Sequence, residues 1–93
     1  MIVYIAGPMT GYENFNREAF FEAEKKLRAL GHEPRHTARL PDNWAYIDYI
    51  NFSLNVMRGC EAIYLLEGWE KSRGVTEYEL PLAKKLNLIH IKL

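Results

Sequence analysis

Ile2-Val3-Tyr4-Ile5-Ala6-Gly7-Pro8-Met9-Thr10-Gly11 opens the chain as a short apolar run that passes straight into a glycine-proline turn. The run Ile2–Ala6 reads as a strand. Apolar residues at Ala19, Phe20, Ala23, Leu27 and Leu30 then recur at helical spacing, with charges between them. Strand, turn and amphipathic helix in that order are the first half of a β-α-β unit. In open α/β sheets ligands bind beyond the carboxyl ends of the strands. Glycine at such an end lets a ligand approach the backbone, and proline stiffens the turn. The first strand end is therefore a candidate small-molecule site.

Working outward, Gly31 is placed to end the first helix as a left-handed cap. His32 to His36 is a short strand candidate, and Pro34 makes it a sheet-edge strand or an irregular one. Thr37 to Asn43 reads as loop. Ile47, Ile50, Leu54 and Met57 repeat three and four apart, giving a second helix that ends near Gly59. Glu61 to Leu66 carries a nearly continuous apolar run, as expected of a strand covered on both faces. Glu67 to Gly74 is a polar loop. Thr76 to Leu86 reads as a third helix, with Thr76 and Glu79 in a capping-box pattern. Pro81 lies inside it, so a kink or a later start is expected. Leu88 to Leu93 is the last strand. The order β-α-β-α-β-α-β predicts one α/β domain over residues 1–93, a small Rossmann-like three-layer α/β/α sandwich around about four parallel strands.

The bulk numbers narrow the function. The 93 residues permit one domain with a modest core. The formal net charge is zero, which argues against a nucleic-acid polymer as partner. A single cysteine, Cys60, excludes a disulfide framework within the chain and fits a reducing compartment. No apolar run is long enough to span a bilayer, and no signal peptide is visible, so no membrane role and a cytoplasmic location are expected. His32, His36 and His90 lack metal-ligand spacing.

The chemistry concentrates in the loop after the third strand. Ser72 and the amides around Gly74 precede a helix start, where unpaired N–H groups and the helix dipole attract anions. Arg73 adds a bidentate donor for a phosphate or carboxylate. Helix capping beside a surface arginine is the plainer reading of the same residues. Glu77 and Glu79 fall in the first turn, and a carboxylate there can attack a sugar anomeric carbon.

Several blocks together carry a family resemblance: Tyr4-Ile5-Ala6-Gly7-Pro8-Met9-Thr10-Gly11, Asn16 with Ala19-Phe20, Arg58-Gly59-Cys60-Glu61-Ala62-Ile63, Gly68-Trp69-Glu70-Lys71-Ser72-Arg73-Gly74, and Glu79-Leu80-Pro81-Leu82-Ala83. The chain resembles the nucleoside 2-deoxyribosyltransferase superfamily over nearly its whole length, and most closely its small uncharacterised bacterial and phage branch of DUF4406-like domains. The resemblance implies cleavage or transfer of a nucleoside or nucleotide N-glycosidic bond, with no metal or organic cofactor. Glu79 matches the family nucleophile, with Ala83 at the expected alanine and Asn87 at the expected glycine. Counting from Gly74 instead makes Glu77 the reserve. Tyr4, Gly7, Pro8 and Thr10 match pocket positions. Glu61 stands where the family has an aspartate that contacts the sugar, and Ser53 where it has an aspartate on the second helix. Family members assemble into homo-oligomers that share pockets, and Trp44, Tyr46, Tyr49, Ile50 and Phe52 could serve as an interface or as a base-stacking wall. A non-catalytic nucleotide-sequestering module is the alternative function, and a structural oligomer with a relic pocket is a third.

Overall fold

The computed structural model describes all residues, Met1–Leu93. Four strands form one all-parallel sheet: β1 Ile2–Ala6, β2 Glu33–Arg35, β3 Ala62–Leu65 and β4 Ile89–Ile91, in the order β2-β1-β3-β4. Three α-helices connect them: α1 Arg17–Ala29, α2 Tyr46–Met57 and α3 Leu80–Lys85. This is the expected Rossmann-like α/β fold.

Alternation along β1 sorts its side chains onto two faces. Val3 and Ile5 join Phe20, Ala23 and Leu27 of α1 in one apolar cluster. Tyr4 and Ala6 join Met57, Ala83 and Leu88 in a second. One helix thus covers one face, while α2 and α3 cover the other, which makes three layers. The central strands β1 and β3 are almost wholly apolar because both of their faces are covered.

The helix ends follow local chemistry. Gly31 has φ +87°, the Gly31 N–H donates to Arg28 O at 3.0 Å, and the His32 N–H donates to Leu27 O at 2.9 Å. This is the Schellman pattern expected of a left-handed C-cap. Asn87 does the same for α3 at φ +56°, with Leu88 N–H on Ala83 O at 3.0 Å. Asparagine tolerates that conformation better than other side-chain-bearing residues, so Asn87 takes a role that glycine would otherwise fill.

Two expectations are corrected, and one about Pro81 holds in one of its two forms. The third helix does not start at a Thr76–Glu79 capping box. Ser72 is extended, and its Oγ accepts the Val75 N–H at 3.3 Å, so helical winding begins at once after it. Thr76 Oγ1 instead donates back to Ser72 O at 2.9 Å. Around Pro81 the winding does not break, and the regular α-helix starts later than Thr76, at Leu80, one of the two outcomes expected from the proline. Val75–Glu79 winds as a π turn, and Pro81 falls in the first turn of α3. A proline ring clashes with the carbonyl one turn back in a regular helix; a widened turn gives that carbonyl room. Finally, Ile47 does not face the core: it is 53% exposed, and the buried stripe of α2 is Ile50, Ser53 and Met57.

Candidate functional site

The strand order reverses between β1 and β3, and the chain leaves each of these strands in opposite directions across the sheet. A crevice at the carboxyl ends of such a pair is where α/β sheets bind ligands. A cleft of about 650 Å³ lies there. Its floor is the end of β1, Tyr4 to Pro8. One wall is the start of the third helix, Lys71 to Gly74, and another is the β2–α2 connection from Thr37 to Trp44.

Gly7 is required by packing. A Cβ on it would sit 2.7 Å from the Leu66 Cβ, so the two central strand ends meet without room for a side chain. Pro8 is buried, and its carbonyl accepts Asn16 Nδ2 at 2.9 Å. That bond fixes a turn absent from the sequence reading. Asn14, Phe15 and Asn16 all have left-handed backbones, at φ 50°, 54° and 61°. Asparagine suits that region; a bulky phenylalanine is strained there. The turn presents Phe15 to the cleft, 39% exposed.

Glu79 lies at the cleft floor and is 7% exposed. Its Oε2 accepts the Tyr4 hydroxyl at 2.5 Å. Burial pushes its carboxyl up to about 7, while hydrogen bonds from Tyr4 and Ser53 pull the other way. Burial and the Glu79 charge raise the Tyr4 phenol well above its ordinary value, so Tyr4 stays a proton donor. Ser53 is 2% exposed on the buried stripe of α2, with its Oγ 2.9 Å from Ile50 O. Polar groups so deep are rare unless satisfied; here Tyr4 and Glu79 satisfy each other, and Ser53 donates to the Ile50 carbonyl of its own helix.

Of the residues singled out in the sequence, Tyr4, Gly7, Pro8, Thr10, Ser72, Arg73, Gly74 and Glu79 all line this cleft. Glu61 does not. It sits at the amino ends of the strands, where its carboxylate accepts the Ile2 N–H at 2.9 Å and its backbone bonds Ile2 and Ile89. The whole length of the sheet separates it from Gly7. Glu77 is exposed and paired with Arg73, Oε2 to Nε 2.9 Å, so it lies outside the cleft lining. Trp44, Tyr46 and Tyr49 do line the cleft. The sequence reading missed Arg17, Thr37, Phe15 and Lys71. Thr37 follows from a rule already in hand: the segment leaving β2 also emerges at the carboxyl edge.

Comparison with known proteins adds one positive finding. The family model described as Domain of unknown function (DUF4406) matches residues 1–92. The chain therefore belongs to the DUF4406 family. No curated protein matches it.

Proposed function

We propose that this member of the DUF4406 family binds a nucleoside or nucleotide in the β1-end cleft and cleaves or transfers its N-glycosidic bond, with Glu79 as nucleophile. The observation that carries the reading is the buried Glu79 carboxylate, held by Tyr4 at 2.5 Å at the floor of the cleft. In the ionised form a Glu79 oxygen attacks C1′ of the sugar. The C1′–N bond breaks, and its electron pair leaves with the base, which takes up a proton. Water then hydrolyses the glycosyl ester, or a second base displaces Glu79. Tyr4 and Ser53 orient the carboxylate. Ser72, Arg73 and the amide of Gly74 face a 5′-hydroxyl or 5′-phosphate.

One observation favours the second reading, a module that holds a nucleotide without cleaving it. Glu61, the second carboxylate that the resemblance assigns to the sugar, lies at the far end of the sheet. Glycosyl transfer usually employs two carboxyl groups. A screen of nucleosides and nucleotides, read both as thermal stabilisation and as free base, separates the readings. Stabilisation with base release supports the enzyme. Stabilisation alone supports the binding module, since ligand binding raises stability by mass action. Neither signal with any nucleoside or nucleotide would overturn both.

A further inference from the structure

The wall of the cleft formed by residues 37–44 is attached in an unusual way. Its backbone makes a single backbone hydrogen bond, Leu40 N–H to Thr37 O at 3.1 Å, and that bond is internal. Everything else that secures it is side-chain bonding, from neighbouring segments and from its own Arg39. His36 Nδ1 accepts the Ala38 N–H at 3.1 Å. Tyr49 on α2 donates to Pro41 O and accepts the Trp44 N–H at 3.2 Å. Arg39 reaches back to Glu24 on α1.

Arg17, the first residue of α1, does most. Nε donates to Ala38 O at 2.8 Å and Nη2 to Leu40 O at 3.3 Å, while Nη2 also pairs with the Asp42 carboxylate. Nη1 donates to Asn14 Oδ1 at 3.2 Å, and the guanidinium lies 5.1 Å from the Phe15 ring centre. Four of the five guanidinium N–H groups are thus committed within the protein. The side chain is only 18% exposed although it lines the cleft. A cation meant for a ligand anion keeps its fork free. This one ties two segments at the cleft mouth to each other: the strained 14–16 turn and the 38–42 segment.

We propose that Arg17 is a positioning residue that sets the width of the cleft by clamping these two segments together, and that it does not itself bind the ligand. Lysine cannot replace it, because one ammonium cannot span two carbonyls, a carboxylate and an amide oxygen at fixed angles. The proposal rests on the cleft being the ligand site, but its first test needs no ligand.

That test is amide hydrogen exchange on the full chain, in the wild type, Arg17→Met and Arg17→Lys. Both variants should accelerate exchange at Ala38, Leu40 and Trp44 by about tenfold or more, as expected for loss of charge-assisted bonds. The amides of Val3, Ile5 and Ile63 should stay at wild-type rates. Unchanged exchange at 38–44 in either folded variant would overturn the clamp. Should both variants fail to fold, the wild-type Arg17 Nε–H decides. Its resonance should be protected from exchange, and ordinary solvent exchange would overturn the proposal. The second test uses 2′-deoxyadenosine and thymidine with their 5′-monophosphates. Arg17→Met should weaken each nucleoside and its monophosphate by the same factor. A loss confined to the monophosphates would make Arg17 a ligand cation and overturn the proposal. If none of the four binds the wild type, the proposed function fails for them, and the exchange data still judge the clamp.

Discussion

In the proposed reaction Glu79 ties stability and activity to one proton. Its carboxyl sits at about 7 when folded, against an ordinary 4.5. A group whose affinity for its proton is raised by folding stabilises the fold fully below its unfolded value, and that contribution is lost as pH rises through the folded value. The Glu79 contribution to stability should therefore fall as pH rises from about 5 to about 8, with about 3.5 kcal/mol as its upper bound. Glu79→Gln should flatten that slope, measured by calorimetry across the range, and abolish base release while leaving ligand binding intact. Glu79→Gln with full activity would remove the nucleophile assignment. A nucleophile must also be ionised, so base release should rise with pH through about 7. Tyr4→Phe deletes a hydrogen bond that lowers the Glu79 carboxyl. The midpoint of the pH–rate profile should then move upward by about one unit or more. A downward shift would refute the orienting role of Tyr4.

At the scale of the element, the start of the third helix carries two separable roles. Ser72 caps it through the Val75 N–H. Ser72→Ala should cost about 1 kcal/mol of stability, read from denaturant midpoints. Arg73 is exposed and bonded only to Glu77. Exposed pairs of this kind contribute little, so Arg73→Ala should leave the unfolding temperature where it was. It should nevertheless weaken a 5′-monophosphate more than the parent nucleoside, measured by titration calorimetry. Equal losses would remove the phosphate assignment. The same helix shows where the sequence was legible and where it was not. Apolar periodicity located α1 and the buried strands β1 and β3, because burial of one face or of both is written directly into residue type. The π turn was not legible. Thr76 and Glu79 mimic a capping box, yet Glu79 accepts the hydroxyl of Tyr4 on β1, a contact that no local pattern contains. Glu61 failed for a similar reason. Its place in a motif says nothing of which end of the sheet it occupies, whereas its position one residue before β3 puts it at the amino end.

Over the whole molecule, the first two turns of α2 and the segment before it expose Trp44, Tyr46, Ile47 and Phe52, at 38 to 53% each. Trp44 stacks on Tyr49 and Phe52 at centroid distances of 5.7 and 5.9 Å, so the side chains form a continuous patch. A 93-residue α/β domain has little apolar surface to spare, and a patch of this kind fits an interface with a second copy. Light scattering at micromolar concentration should give at least a dimer, and Ile47→Glu should lower the mass towards one chain. A monomer in the wild type that still binds nucleotide would remove both the oligomer and any shared pocket.

The side-chain tethering of residues 37–44 also separates what holds the domain together from what shapes the cleft. No rung of the sheet runs through Pro41–Ala45, and each of these residues is exposed. Their identity and number can change without disturbing a single strand pairing, provided the arginine at the head of α1 still finds its carbonyls. The sheet and helices then act as a chassis, and the stretch after β2 as an exchangeable part, open to grafting in the way that antigen-binding loops are exchanged on a constant framework. Two chains with superimposable cores could in this way recognise different small molecules.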